Sequence, residues 1–302
     1  MRLLQHLFGI LLCCFWASSV GAERGQSSAP AGLERFEQGI LWRIEKPGLA
    51  PSYAFGTIHI DDPRVLKLPP AVVRAFAQSR SFTLEMLTDE VANRKFTRAS
   101  RFGNGEDLPA VLGPELYGKV ADKMQERDVP DALTRKLKPW SVMLTLLLPR
   151  ERPAVILDYA LYQKAVEQEK PVFQLETIEE QIATFDGMPM DLQVGLLESV
   201  VRHENEIAGM TKELIQAYLD RDLKRIWDIN SRFTGLDSGK EKQNELFLER
   251  VLFARNLHMS SSMLPRLQEG RAFIAVGALH LYGERGILSL LEQQGFRITQ
   301  VY

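Results

Sequence analysis

Two of the five histidines in this 302-residue sequence stand in a shared pattern that could bind a metal or move a proton. In Ser52-Tyr-Ala-Phe-Gly-Thr-Ile-His59 and in Arg271-Ala-Phe-Ile-Ala-Val-Gly-Ala-Leu-His280, an apolar run breaks at a glycine three residues before the histidine. Aligning Gly56 with Gly277 pairs Ala54 with Ala275, Phe55 with Val276 and His59 with His280. Glycine at that point removes a side chain that would block close approach of a ligand or of another strand. Imidazole is the commonest metal ligand and exchanges protons near neutral pH. Carboxylates can complete the set. Glu85 ends Phe82-Thr-Leu-Glu, and Glu176 follows Val172-Phe-Gln-Leu175. Two imidazoles with one or two carboxylates can hold a divalent ion with open positions, and a remaining carboxylate can act as general base on the bound water. The plainer alternative is two glycine-broken strands packed side by side, with the histidines capping the sheet.

Arg255 lies on the helical line Leu248, Leu252, Arg255, Met259 and so faces an apolar interior, where a guanidinium needs a partner. Glu85, Glu176 or a substrate oxygen would serve; a stem laid along the helix edge is the other reading. Asp61 and Asp62, next to His59, read as turn or capping residues before Pro63. His203 follows Leu196 and Val200 at helical spacing, and His258 follows Phe247, Val251 and Ala254; both read as packed or edge-of-core histidines.

The elements that must position these groups follow from pattern. Each Gly-x-x-His unit is a strand followed by a helix and a second strand. The first unit runs through Pro70-Ala-Val-Val-Arg-Ala-Phe-Ala to Ser81–Glu85, the second from Gly286 to Phe296–Val301. Ile40–Glu45 and Tyr53–Ile60 read as a hairpin around Pro47-Gly48. The middle, about 88 to 270, reads as mostly helical. It includes Pro114–Arg127, a buried helix over Trp140–Leu148 that is apolar on all sides, Val155–Glu169, a helix opening at Glu176, and stretches around Asp191–Met210, Lys212–Asp220 and Glu241–Ser260. Pro171–Leu175 is a short strand inside it. The expected class is α/β (α+β): a mixed sheet built from N- and C-terminal strand–helix–strand pieces, with a large helical insert.

Arg2, the apolar run Leu7–Ala17 and Val20-Gly-Ala22 read as a signal peptide cleaved after Ala22, with an uncleaved anchor as the alternative. Residues 23–35 read as a Gly/Ser/Ala/Pro-rich lead-in to one domain over 36–302. Both cysteines, Cys13 and Cys14, fall in the leader, which excludes disulfides, zinc–thiolate sites and cysteine nucleophiles from the mature chain. The formal charge of −2 gives no general attraction to nucleic acid, and no later segment is long and apolar enough to span a bilayer. There is no Gly-x-Ser-x-Gly, His-Glu-x-x-His, Walker-type or Gly-x-Gly-x-x-Gly motif, and no Cys-x-x-Cys-His.

Taken in order, these motifs resemble the TraB/GumN family, related to the TIKI metalloproteases. The resemblance runs through Tyr53-Ala-Phe-Gly-Thr-Ile-His59, Leu68-Pro69, Glu85, Leu175-Glu176-Thr177, Gln181 and Gln193. It continues through Arg255-Asn256, Met259, Val276-Gly-Ala-Leu-His280, Gly283, Gly286 and Gly295-Phe296. It implies an exported, metal-dependent hydrolase of peptides, with a peptide or small-molecule substrate. His59, His280 and Glu85 would be the metal ligands, Glu85 a ligand or general base, and Glu176 and Arg255 would act in support. The ion is left open among manganese, cobalt, zinc and iron. Because the wider superfamily includes haem-binding members, the alternative is a non-catalytic haem- or peptide-binding protein.

Overall fold

The computed structural model describes residues 36–60, 62–103, 105–148, 155–234, 236–237 and 239–302. The expected signal peptide, the lead-in and Asp61 lie outside the described residues.

The chain divides into two compact units. One takes Thr88–Ala154 and Thr177–Met210; the other takes the N-terminal part through Leu87, Val155–Glu176 and Thr211–Tyr302. The mostly helical middle is therefore shared between them, and the strand at 172–174 and the helices beyond 211 go with the sheet.

The sheet has six strands: β1 Leu41–Glu45, β2 Ser52–Thr57, β3 Ser81–Leu84, β4 Val172–Gln174, β5 Ala272–Gly277 and β6 Arg297–Gln300. Their spatial order is β4-β3-β5-β2-β1-β6. The four strands β4, β3, β5 and β2 run parallel, while β1 pairs antiparallel with both β2 and β6. The sheet is mixed, as expected: the strand–helix–strand pieces supply parallel strands, and β1 runs against its neighbours β2 and β6. Strand β5 is buried at all six positions, and its sequence, Ala-Phe-Ile-Ala-Val-Gly, is apolar throughout. That is the pattern of a strand covered on both faces. The two glycine-bearing strands are neighbours, in a register one residue away from their motif alignment: Gly56 lies opposite Val276 and Thr57 opposite Gly277.

Gly56 shows why the glycine is needed. A Cβ there would come within 3.0 Å of the Leu281 side chain and 3.1 Å of Ala278 Cα. Its absence lets the short 3-10 turn Ala278–His280 seat against β2.

In the other unit, the largely apolar helix Pro139–Leu147 is buried from Pro139 through Leu146, including Ser141 and Thr145. The helix expected from Pro114 runs over Leu108–Gln125 with a break at Gly113, whose φ of 72° interrupts it just before the proline. The helix expected to open at Glu176 begins instead at Ile178. Thr177 caps it in a reciprocal box: its hydroxyl accepts the Glu180 N–H, and the Glu180 carboxylate accepts the Thr177 N–H. The stretch expected as one helix around Asp191–Met210 is two, Met190–Arg202 and Glu204–Leu219, parted at His203.

The sheet unit packs on a phenylalanine cluster centred on Phe273, which is fully buried, with ring centroids 5.1 Å from Phe76, 5.8 Å from Phe55 and 6.4 Å from Phe82. Truncating a buried phenylalanine removes its transfer free energy and leaves a cavity. Phe273→Ala is expected to cost about 3–5 kcal/mol. A urea unfolding curve should show a lower midpoint at an unchanged slope.

Candidate functional site

Each parallel strand delivers one chemically competent residue just past its C-terminal end. His59 follows β2, Glu85 follows β3, Glu176 follows β4 and His280 follows β5. That edge is where parallel sheets open to ligands. Backbone ties draw two of these ends together: the N–H groups of Leu175 and Glu176 both donate to the Glu85 carbonyl, at 3.1 and 2.9 Å.

The side chains of Glu85, Glu176, Arg255 and His280 form one buried cluster. Arg255 Nε donates to both oxygens of Glu176 at 3.0 Å, and its Nη2 donates to Glu176 Oε2 at 2.5 Å and to Glu85 Oε2 at 2.8 Å. Nη1 donates to the Val251 carbonyl at 3.2 Å and lies 3.4 Å from His280 Nε2. The other oxygen of Glu85 accepts the Gly277 N–H at 2.6 Å, which ties β3 to the end of β5. Of the two readings open for Arg255, the interior one with acidic partners is observed.

Arg255 reaches this position through an irregular helix. Between Glu241–Leu248 and Ala254–Ser262 the chain makes a π-turn, Glu249–Phe253, where the Ala254 N–H bonds to the Glu249 carbonyl. Buried positions follow steps of four: Phe247, Val251, Arg255 and Met259, with Leu248, Leu252, Asn256 and Ser260 beside them. A regular helix of 3.6 residues per turn would let a four-residue step drift around the axis; the wider turn takes up the extra residue. The same shift corrects the reading of His258. Ala254 and His258 leave the inward line, and His258 is exposed rather than packed. His203 is half-buried at the end of its helix, with Nδ1 3.7 Å from the Glu206 carboxylate.

His280 is held through its other nitrogen. Asn256 Nδ2 donates to the Arg285 carbonyl at 2.8 Å, so its Oδ1 faces His280 Nδ1, at 2.5 Å, and must accept. The proton of His280 is therefore on Nδ1, and Nε2 is its basic nitrogen. Burial, then the charges of Arg255 and His59, keep His280 well below the usual imidazole range. It stays neutral. Burial pushes the Glu85 carboxyl up, with Arg255 opposing and Glu176 reinforcing. For Arg255 burial acts against its charge, but Glu176 and Glu85 outweigh it and raise the guanidinium further.

His59 is also buried. Its Nε2 lies 2.9 Å from Asp158 Oδ2, and Asp158 Oδ1 accepts the Thr57 hydroxyl at 2.8 Å. Asp158 is a residue the sequence reading passed over: an acid on a helix far from either motif, with only its place in a first helical turn to mark it. Asp62 is a cap, accepting the Arg64 N–H at 2.8 Å. Gln181 and Gln193 are buried in the helical unit, where Gln193 donates to the Met188 carbonyl at 2.9 Å.

Removing one partner from a buried ion cluster leaves charge without compensation, at about 3–5 kcal/mol. Arg255→Met should cost about that much. Adding Glu85→Gln and Glu176→Gln to it should restore most of the loss in chemical denaturation. Additive losses across the three would show that the cluster does not act as a unit.

The model of a family described as "TraB/PrgY/gumN family" matches residues 40–300. The chain is similar to "Metalloprotease TIKI2" of Danio rerio, at 27% identity over 96% of this chain and 66% of that protein. It is similar to "Metalloprotease TIKI1" of Homo sapiens, at 24% identity over 86% and 61%. "Uncharacterized protein YbaP" of Escherichia coli (strain K12) is 23% identical over 82% and 90%. The chain thus spans about two thirds or less of the length of these TIKI relatives. No solved structure matches it.

Proposed function

The chain belongs to the TraB/PrgY/gumN family, and from that premise we propose that it is a metal-dependent hydrolase acting on peptide bonds, exported by its leader sequence. The observation that carries the reading is the buried cluster at the ends of the parallel strands. There a neutral imidazole with a basic Nε2 lies 3.8 Å from a carboxylate whose pKa burial has raised.

The chemistry of the donor set fits a divalent transition ion. Metal binding requires a neutral imidazole, which His280 is, and an outer oxygen that fixes the ring, which Asn256 supplies. His59 has its own outer oxygen in Asp158. Among the described residues no three His, Asp or Glu side chains form a ready cluster, and Arg255 is the cation that bridges the two acids. His59, His280 and Glu85 would hold the ion, which would supply an activated water at neutral pH and polarise the scissile carbonyl. The family names and the imidazole–carboxylate donors leave manganese, cobalt, zinc and iron equally open.

The chain's own residues divide the remaining work. Glu85, pushed up by burial, is the group suited to accept a proton, since an ordinary carboxylate is too weak a base. Arg255 orients both acids and holds the strand ends in place; its donors are already committed to protein oxygens. Glu176 anchors that guanidinium. The haem-carrier alternative draws no support from a histidine whose Nε2 faces a guanidinium and a carboxylate. Axial ligation would need a slot open to a large apolar ring.

The mature protein, purified without chelator and supplied with manganese, cobalt or zinc, should hold about one equivalent of metal by elemental analysis. The His59→Ala/His280→Ala double variant should hold none while melting within a few degrees of the parent. Glu85→Gln should lower peptide turnover by about 10²–10⁴-fold, the usual size of a general-base contribution. No bound metal in the parent, or equal turnover in both variants, would sink the reading.

A further inference from the structure

The loop that follows His280 and the helix that carries Arg255 are fastened together by one side chain outside the buried cluster. Arg285 lies in that loop, between the 3-10 turn Ala278–His280 and the helix Ile287–Gln293. Its Nη2 donates to both oxygens of Glu249, at 2.8 and 2.7 Å, and its guanidinium lies over the Phe253 ring, 4.0 Å from the centroid. Glu249 and Phe253 are the first and last residues of the π-turn. One guanidinium therefore holds both ends of the irregular segment. Aromatic rings make a second tie: Phe253 is 6.2 Å from Trp227, which lies 5.9 Å from Tyr282 of the same loop. The backbone makes a third, since Asn256 Nδ2 donates to the Arg285 carbonyl at 2.8 Å while its Oδ1 meets His280.

We propose that Arg285 is a positioning residue of the site: by clasping the π-turn to the loop after His280, it sets the register of the helix that brings Arg255 and Asn256 to the strand ends. The inference rests on the hydrolase reading for its purpose; the clasp itself is independent of it. A π-turn is a rare, single-turn departure from regular helix, and its wider spacing keeps Arg255 on the inward line with Val251 and Met259. A shift there carries Arg255 and Asn256 together, because they are the second and third residues of the helix Ala254–Ser262. Arginine suits the task, since its planar group can pair a carboxylate and stack on a ring at once. The side chains of Arg285 and Glu249 are 54% and 49% exposed, so salt screens the clasp far more than the buried cluster.

Hydrogen–deuterium exchange of the full protein, read over peptides covering residues 249–259, tests the clasp with no substrate and no metal. Arg285→Met should speed exchange there roughly 3–30-fold, the joint effect of losing an exposed ion pair and a cation–ring contact. Peptides covering β5 should exchange as in the parent, which shows that the sheet remains folded. Glu249→Gln should act in the same direction by less, and Arg285→Lys should keep most of the protection. Adding Glu249→Gln to Arg285→Met should change little, because the pair is already lost. Raising salt from about 0.05 M to about 1 M should speed exchange in the parent and leave Arg285→Met nearly unaffected. Parent-level exchange in Arg285→Met, or the same salt response in both proteins, would overturn the proposal.

Metal affinity and turnover separate positioning from a mere tie, and both from the hydrolase reading. If the parent binds manganese, cobalt or zinc, and Arg285→Met weakens that binding and lowers kcat at unchanged KM, both readings stand. A fall in kcat alone marks the loss of interactions made in the transition state. Faster exchange with unaltered metal affinity and kcat would make Arg285 a structural tie only, and the positioning role fails. If exchange responds as expected but the parent binds none of the three metals and cleaves no peptide, the clasp stands and the hydrolase reading fails.

Discussion

The guanidinium of Arg255 is the group on which the site depends. Neither a bare arginine nor a bare pair of glutamates could remain ionised where these three side chains lie, all nine-tenths or more buried. Together they compensate one another, and in doing so they fix the ends of β3 and β4 and the helix that carries Asn256. The compensation is incomplete. With both acids ionised, one negative charge remains in a region closed to water, and burial first, then the neighbouring Glu176 charge, raises the Glu85 pKa against the pull of Arg255. A proton or an external cation would relieve it. The cluster is thus stable enough to persist and still receptive to positive charge.

Topology explains how residues so far apart in sequence reach one place. A parallel strand can only be followed by a crossover before its neighbour is laid down, so consecutive parallel strands put their C-terminal ends on one edge. Here β2, β3, β4 and β5 each end at that edge with a histidine or a glutamate. Strands β1 and β6 carry no site residue and close the other side of the sheet. Gly56 lets the arrangement tighten. Without a Cβ there, the turn holding His280 rests directly on the strand that leads to His59.

How much of this could be read from the sequence depends on the distance over which each signal acts. The two Gly-x-x-His strands, the mixed sheet and the strand-ending acids were legible because alternation, glycine breaks and apolar runs are local. Arg255 was legible as an inward residue from its helical line, though not its choice between Glu85 and Glu176. His258 was misread because the line through Phe247, Val251 and Ala254 presumes a uniform helix, and the π-turn at Glu249–Phe253 is not encoded by any single residue type. Asp158 had no signal of its own. It is an acid near a helix start, where acids are common for reasons of capping and dipole, and its role exists only through a contact with His59 made across the fold. Thr177 shows the local case going the other way: a capping box readable in Thr-x-x-Glu moves the helix start past Glu176 and leaves that acid outside the helix.

The asymmetry between the histidines argues for a site built around polar chemistry. His280 is backed by a carboxamide and faced by a guanidinium, a combination that withholds the second proton. His59 lies instead against a carboxylate, with its Nε2 2.9 Å from Asp158 Oδ2. Two imidazoles that served only as paired caps on a sheet would have no reason to differ in this way, and packing alone is satisfied by either partner. Placing unlike environments on two chemically identical groups is how a protein separates a proton carrier or charge acceptor from a neutral donor of electron pairs. Glu85, raised by burial and restrained by Arg255, lies 3.8 Å from the neutral His280.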